Sequence, residues 1–200
     1  MRIASHCRIT PNRCLANGQP VPVQRSERPY LTDLYHSLGM GYPKFFKMDN
    51  LCKAGVLAAE LVLRGSSVDG LTPRHDVAVV GLNSSSSLDA DLQHLQHLHP
   101  DSYFPSPAVF VYTLANIVTG EIAIRHKILG ESSFYVIPEF SAHQMAKVIA
   151  TTLSDANINC LLCGWIEVLG QELDVLMMLI DRLNGPAPTA QNINSLYNER

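Results

Sequence analysis

The chain has 200 residues, enough to bury about 70% of its unfolded surface in a core that needs no disulfide or metal. Apolar residues make up 46% of the sequence and charged residues only 16%, which excludes a disordered chain or a coiled coil and favours burial against a partner. The net charge is −3 and the sequence has no basic block, so we expect no nucleic-acid partner.

The sequence also lacks the patterns typical of membrane insertion and export. Its longest apolar stretches have about ten residues, whereas a spanning helix needs roughly 20. The first residues hold no apolar signal core, and five sparsely placed cysteines fit a reducing compartment better than a disulfide framework. We therefore expect a cytoplasmic protein without a membrane span.

Short apolar runs alternate with longer amphipathic segments from the start of the chain, a pattern typical of α/β folds. Residues 2–10 are a strand candidate. Residues 11–47 contain five prolines and three glycines, so they are predicted to be irregular, and no function follows for them from the sequence. Apolar residues at helical spacing predict a helix over 49–64, which Asp49 or Asn50 caps and Gly65 ends.

The second half continues the alternation and completes the predicted domain. Its elements are a strand at 76–82, a turn at 83–87, helices at 88–98, 114–129 and 141–153, and strands at 133–137, 159–169 and 173–183, the last two antiparallel. Glu121 and Arg125 are predicted as an exposed i,i+4 pair, and Ser141 with Gln144 has capping-box spacing. The prediction is one mostly parallel five-stranded sheet with helices on both faces in residues 1–185, followed by a polar, flexible tail at 186–200.

Two clusters of metal-binding side chains are better explained by structural roles. Cys160 and Cys163 form a C-x-x-C, but within a strand such positions point to opposite faces, which disfavours a redox or zinc site. His94, His97 and His99 could bind a metal, but no carboxylate or thiol is placed to complete the site. We expect no metal and no cofactor.

Two strand-to-helix turns are candidate anion or nucleophile sites. Ser84–Ser87 could hold a phosphate on helix amides, but the turn lacks the glycine-rich motif of phosphate loops, which favours a plain turn. In the turn at 136–141 a side chain lies near helix amides that stabilise an anion. Glu139 and Ser141 are the reactive candidates there, and His143 is a candidate base that does not share the helical face of Ser141.

Six segments follow one another in an order that is itself informative. They are Lys44-Phe45-Phe46 with Met48-Asp49, Phe104-Pro105-Ser106-Pro107, Asn116-Ile117-Val118-Thr119-Gly120-Glu121-Ile122-Ala123-Ile124, Leu129-Gly130, Cys163-Gly164-Trp165-Ile166-Glu167, and Gln171 through Leu179. In this order, over residues 44–183, they resemble the N-terminal half of the β-ketoacyl (3-oxoacyl-ACP) synthases of the thiolase superfamily. The resemblance implies a thiolase-like α/β fold.

The departures from that family concern its catalytic residues. By the resemblance, the nucleophilic cysteine of the family falls on Phe140, or on Glu139 with a slip of one residue, and neither can form a thioester. The histidines, or His and Asn, of the family come from its C-terminal half, which would begin near Arg200. Because condensation needs a thiolate and donors for the developing carbanion, the resemblance implies a chain that does not condense alone.

The leading hypothesis is therefore a non-condensing accessory or chain-length-factor-like subunit of fatty-acid or polyketide synthesis, resembling also half-length proteins of bacterial pigment pathways of the aryl-polyene type. It would pair with itself as a homodimer or with a full-length ketosynthase as a heterodimer, with an acyl carrier protein as a further partner. Interface or acyl-tunnel candidates are Asn116, Gly120, Ala123, Pro138 and Phe140. The alternatives are a stand-alone acyltransferase, decarboxylase or hydrolase that uses Ser141 or Glu139, and an acyl-chain-binding protein without turnover.

Overall fold

A computed structural model describes residues 1–68, 70–96, 98, 107–183 and 185–199. The strands are β1 (Arg2–Thr10), β2 (Arg13–Ala16), β3 (Gln19–Pro20), β4 (Val77–Asn83), β5 (Ser132–Val136), β6 (Cys160–Leu169) and β7 (Glu172–Asp181). The helices are α1 (Tyr30–Ser37), α2 (Asn50–Leu63), α3 (Leu88–Leu95), α4 (Pro107–Phe110), α5 (Ile117–His126), α6 (Ala142–Thr152) and α7 (Ala190–Tyr197), with 3₁₀ turns at Pro43–Lys47 and Val111–Thr113.

The described strands form one seven-stranded mixed sheet in the order β3-β2-β1-β7-β6-β4-β5. The two pairings of β4, with β5 and with β6, are parallel, and the other four pairings are antiparallel. The prediction of a mostly parallel five-stranded sheet is therefore wrong, whereas helices on both faces and the antiparallel pairing of β6 with β7 are confirmed.

The additional strands lie where the sequence predicts irregular chain. Residues Asn17 and Gly18 connect β2 to β3 with φ of 50° and 74°, the left-handed conformations of a two-residue hairpin turn. Leu15 pairs with Pro20 across this turn. The prolines in this region are compatible with the hairpin because Pro20 lies in the strand at the edge of the sheet, where no ladder donor is required.

Two apolar layers, one on each face of the sheet, form the core. The first contains α1, α2 and α5, and the second contains α6 and α7. Asp49 caps α2 by accepting a hydrogen bond from the backbone N–H of Cys52 at 3.0 Å, and Gly65 follows the helix with φ of 73°, so the predicted helix ends are confirmed. An added Cβ at Gly55 would lie 2.3 Å from Val118, so this glycine permits the close contact of α2 with α5.

The chain that leads into α5 is bent, whereas the sequence predicts one helix over 114–129. The segments Pro107–Thr113 and Ile117–His126 are bent by 102° relative to each other. No single helix in the described residues is long and apolar enough to cross a membrane, and only these two segments taken together have the length and composition to do so. Two predictions lie partly outside the described residues. They are positions 104–106 of the segment Phe104-Pro105-Ser106-Pro107 and position 97 of the helix predicted at 88–98.

The predicted surface pair on α5 is wrong because this face of the helix packs against other elements. Glu121 is buried and forms an ion pair with Lys44 at 2.6 Å. Arg125 instead pairs with Glu60 of α2 at 3.2 Å. Both side chains therefore join α5 to neighbouring segments rather than to each other.

The predicted polar, flexible tail at 186–200 contains a docked helix. Thr189 caps α7 by accepting a hydrogen bond from the backbone N–H of Asn192 at 3.3 Å. Ile193 is fully buried in the second apolar layer, and Glu199 lies 2.9 Å from the Nε2 atom of His6 in β1. Burial of an apolar stripe on one helical face explains why this polar segment is ordered on the sheet.

Candidate functional site

Strands β4, β5 and β6 run parallel, so their carboxyl ends lie at the same end of the sheet. This end is the usual position of a site in open α/β sheets. Beyond β5, the backbone N–H of Ile137 donates to the carbonyl of Asn83 at the end of β4, at 2.9 Å. The turn from Ile137 to Ser141 then enters α6. The structure thus places the predicted nucleophile turn directly beside the serine turn that follows β4.

The serine turn holds an internal carboxylate. Glu167 of β6 accepts hydrogen bonds from the backbone N–H groups of Ser84 and Ser85, at 2.6 and 3.3 Å, and from both hydroxyls. The buried Asn83 fixes the turn through Ser86, whose N–H it accepts at 3.0 Å. Because these donors are satisfied by the chain itself, the phosphate interpretation of this turn is wrong and a structural turn is confirmed.

Phe140, the position that the resemblance assigns to the nucleophile, lies in an aromatic cluster. Its ring stacks on Tyr197 of α7 with centroids 3.5 Å apart and an interplanar angle of 7°. Trp165 of β6 meets it edge-to-face at 5.8 Å. The edge-to-face contact with Trp165 has a geometry that is favourable beyond the area it buries, whereas the Tyr197 ring lies face to face on Phe140 with little offset, so the position is filled by packed rings.

A single carboxylate ties the aromatic cluster to the sheet. Asp174 of β7 accepts hydrogen bonds from Arg8 at 2.6 Å, from the Trp165 indole at 3.2 Å and from the Tyr197 hydroxyl at 2.5 Å. The Arg8 guanidinium also lies 4.4 Å above the Tyr197 ring. Burial and the bond to Asp174 raise the pKa of Tyr197, so its hydroxyl stays protonated and keeps donating.

The three reactive candidates of this turn do not form a catalytic arrangement. Ser141 caps α6 and accepts a hydrogen bond from the backbone N–H of Gln144 at 3.3 Å, as predicted. Glu139 and His143 are exposed, and within the described residues no hydrogen bond joins either of them to Ser141. A nucleophile needs a base within hydrogen-bond reach, and Ser141 has none there.

The five cysteines offer no activated thiol. All are buried and free. Burial raises the pKa of Cys14, Cys160 and Cys163 to about 12 and also raises the pKa of Cys7 and Cys52. Cys160 and Cys163 belong to opposite apolar layers, which confirms their structural role.

The described part of the chain holds no group of three His, Cys, Asp or Glu side chains placed to bind a metal ion. His94 is half-buried and lies beside Phe110, with ring centroids 5.8 Å apart. His97 and His99, the other members of the predicted cluster, lie outside the described residues.

The interface candidates fall into two groups. Asn116 and Pro138 are exposed, and an added Cβ at Gly120 would meet nothing within 4 Å. Ala123 and Phe140 instead pack against the two apolar layers of the chain. Together with Ile124, which is 63% exposed, Asn116 and Gly120 lie four residues apart on one helical face, which leaves α5 with an open surface.

The two edges of the sheet differ in accessibility. Edge strand β3 has two residues and contains Pro20, features that discourage pairing with another chain. Edge strand β5 has no proline and ends in Tyr135 and Val136, which are 41% and 55% exposed. Ten of the exposed large apolar residues of the described chain lie on β5 or between positions 88 and 129: Leu88, Leu92, Leu95, Phe110, Val111, Leu114, Ile124, Leu129, Tyr135 and Val136.

Comparison with known proteins gives matches at the level of structure. No protein-family model and no curated protein matches the sequence. The ishigamide ketosynthase/chain length factor matches with a TM-score of 0.62 at 12% identity, over 90% of this chain and 62% of that chain. The ketosynthase (ApeO) in complex with its chain length factor (ApeC) from Xenorhabdus doucetiae matches with a TM-score of 0.60 at 16% identity, over 98% of this chain and 90% of that chain. AntDE:AntF, a type II polyketide synthase acyl-carrier protein in complex with its ketosynthase, matches with a TM-score of 0.57 at 14% identity, over 90% and 62%.

The chain has the thiolase-like fold of the ketosynthases and chain length factors. It spans 62% of the matched chains in the ishigamide and AntDE:AntF structures. The matched chain in the ApeO–ApeC complex is only slightly longer than this one, because the alignment covers 98% of this chain and 90% of that chain. A chain of about this length thus occurs in a complex of ketosynthase and chain length factor.

The sequence analysis did not identify four residues of the site in this ketosynthase-like fold. Arg8, Trp165, Asp174 and Tyr197 come from β1, β6, β7 and α7, and 166 positions separate Arg8 from Asp174. Only Tyr197 has a local signal, since Ile193 and Tyr197 share a helical face after a Thr cap. The other three are brought together by strand pairing alone.

Proposed function

We propose that this chain is a non-condensing, chain-length-factor-like subunit that pairs with a ketosynthase in polyketide or fatty-acid synthesis. The observation that carries the proposal is the stack of Phe140 on Tyr197, with ring centroids 3.5 Å apart, at the position that the resemblance assigns to the nucleophile. A phenyl ring cannot hold an acyl group as a thioester, so in this proposal the partner ketosynthase supplies the nucleophile that carries the acyl group.

The chemistry of the remaining candidates supports the same division of labour. The cysteine thiols are buried, and only a thiolate acts as the nucleophile. Ser141 is engaged as a helix cap. The chain therefore contributes shape and surface to an assembly, and an acyl carrier protein would reach the assembly through the ketosynthase.

The partner surface that we propose consists of the β5 edge and the exposed face of α5, defined by Asn116, Gly120 and Ile124. Strand β5 pairs only with β4 in the described residues, so its outer edge presents backbone donors and acceptors to another strand. Val136 and Ile124 are 55% and 63% exposed, and burying such apolar surface stabilises association.

Co-expression with a ketosynthase of the same organism tests the proposal. We expect the two chains to co-purify, with the mass of the complex measured by light scattering. Val136→Lys and Ile124→Lys should each weaken the complex at least tenfold, because they place a charge in an apolar contact. Leu183→Lys is the matched control, since Leu183 is equally exposed at 63% but lies outside this surface. A chain that stays monomeric alone and with the ketosynthase would overturn the proposal, and self-association abolished by Val136→Lys would assign the same surface to a homodimer.

Intact mass separates this function from the alternative of a stand-alone enzyme. After incubation with acetyl-CoA, malonyl-CoA and an acyl-loaded carrier protein, we expect an unchanged mass. A covalent adduct on Ser141 or Glu139 that Ser141→Ala or Glu139→Gln abolishes would establish the enzyme instead. Without such chemistry, Ser141→Ala removes only a helix cap and costs about 1 kcal/mol of stability.

A further inference from the structure

A polar cleft lies on the side of the sheet that carries α1 and α2, away from the aromatic cluster. Its volume is about 500 Å³, and it is lined by the turn between β1 and β2, Arg25, residues 28–32, the start of α2 and the turn between β6 and β7. This volume is within the range of small-molecule sites. The cleft belongs neither to the Phe140 turn nor to the β5 edge.

Three positively charged side chains converge on this cleft. Arg25, Arg28 and Lys53 line it, and Glu172 is the one acidic side chain among the lining residues. In the described residues none of the three cations forms an ion pair within 4.0 Å. The cleft is thus locally positive in a chain whose net charge is −3.

The nearby carboxylates have other roles. Asp33 accepts hydrogen bonds from the backbone N–H and the hydroxyl of Ser26, at 2.8 and 2.6 Å, and these bonds lower its pKa. Asp49 caps α2 through Cys52. Neither side chain lines the cleft, although Asp33 interacts electrostatically with Arg25 and Arg28, and Asp49 with Lys53. A bound anion would therefore add a direct contact to cations that these carboxylates neutralise only at longer range.

Backbone groups add to the attraction for an anion. Helix α1 begins at the cleft wall with Pro29 as its N-cap and has no side-chain cap. The N–H groups of Tyr30 and Leu31, in its first turn, have no acceptor within the helix. Arg25 lies 4.7 Å above the ring of Tyr30, the first residue of this helix.

We propose that this cleft binds the phosphate or diphosphate group of a small molecule. A guanidinium pairs with phosphate oxygens through two parallel hydrogen bonds, and a lysine adds a compact positive charge. Lys53 is half-buried, and burial lowers its pKa, so a bound anion restores favourable surroundings for its charged form. The ligand class is defined by its phosphate chemistry, and the site is independent of the ketosynthase partner.

Titration calorimetry with pyrophosphate, inorganic phosphate and sulfate at constant ionic strength tests this site. We expect saturable binding of pyrophosphate that is tighter than that of inorganic phosphate, because two phosphoryl groups engage more of the three cations. Arg25→Gln, Arg28→Gln and Lys53→Met should each weaken it about tenfold, the scale of one charge-assisted hydrogen bond. Arg2→Gln and Lys147→Met, exposed cations on β1 and α6, are the matched controls and should bind as the wild type does.

Circular dichroism verifies that each variant is folded, and the conservative Arg25→Lys variant, which keeps the charge, should retain part of the affinity. Pyrophosphate binding no stronger than that of sulfate, or losses as large in Arg2→Gln as in Arg25→Gln, would overturn the proposal. If pyrophosphate binds and no ketosynthase complex forms, the proposed function fails while this site stands.

Discussion

Truncating Phe140 and Tyr197 singly and together measures how firmly α7 covers Phe140, the position that the resemblance assigns to the nucleophile. Full truncation of a buried Phe typically costs about 3–5 kcal/mol. Phe140 is half-buried, so we expect Phe140→Ala to lower the free energy of unfolding by about 2 kcal/mol. Tyr197→Ala should cost about 3 kcal/mol, because it removes a ring and the hydrogen bond to Asp174.

The two rings are stacked 3.5 Å apart, so their effects should not be additive. Side chains in direct contact couple by about 0.5–3 kcal/mol, and we expect about 1 kcal/mol for this pair. The double variant should therefore cost about 4 kcal/mol rather than the sum of about 5 kcal/mol. Tyr197→Phe keeps the stack and loses only the hydroxyl, so it should cost about 1 kcal/mol.

Urea denaturation followed by far-UV circular dichroism and by tryptophan fluorescence gives these energies. Trp165 is the only tryptophan and contacts both Phe140 and Asp174, so its emission reports on the cluster itself. Ile193→Ala, in the buried face of α7, is a control that loosens the helix without removing a ring. Strictly additive costs for Phe140→Ala and Tyr197→Ala would refute the cover of Phe140 by α7.

Three further predictions concern stability. Burial lowers the pKa of His126 from 6.5 to about 4, so the unfolded imidazole takes up a proton at a higher pH than the folded one, and stability should fall by up to about 3 kcal/mol between pH 6.5 and 4. His126→Asn should flatten this slope in urea titrations, and an unchanged slope would contradict the assignment. An added Cβ at Gly130 would lie 2.2 Å from the Val77 carbonyl oxygen, so Gly130→Ala should cost at least about 3 kcal/mol, whereas Gly120→Ala should stabilise the isolated chain by up to about 1 kcal/mol and weaken the ketosynthase complex. Glu167→Gln should cost about 2 kcal/mol in the same titrations by weakening the serine turn, and a loss below about 0.5 kcal/mol would contradict its role.

The local spacing of apolar residues was sufficient to predict those helices and strands that bury one continuous apolar face. Helix α2, helix α6 with its Ser141 cap, and the β6–β7 hairpin all follow from the spacing of apolar residues and from cap or turn residues. The β1–β2–β3 meander had an equally local signal in Asn17-Gly18, but the surrounding prolines obscured it. Proline is compatible with an edge strand, so composition alone is a poor guide to such a segment.

The site itself depends on contacts between residues distant in the sequence. Asp174 joins β1, β6 and α7 only because β7 lies between β1 and β6 in the sheet. The predicted exposed pair of Glu121 with Arg125 was wrong because helical spacing gives information only about neighbours on the same helix. The actual partner of Glu121, Lys44, lies outside α5. The resemblance to ketosynthases singles out Phe140, or Glu139 with a slip of one residue, as the position of the nucleophile, but the stack of Phe140 on Tyr197 required the position of α7.

The closed and open parts of this fold differ in a way that favours a partner subunit over a stand-alone enzyme. At Phe140, the position that the resemblance assigns to the nucleophile, the chain supplies its own cover, with Tyr197 stacked on Phe140 and three donors fixed on Asp174. At the β5 edge, by contrast, Tyr135 and Val136 are exposed on a strand that pairs only with β4 among the described residues. An exposed edge of this kind invites pairing with another chain, and a stand-alone enzyme would need the reverse arrangement, an accessible nucleophile and a protected edge.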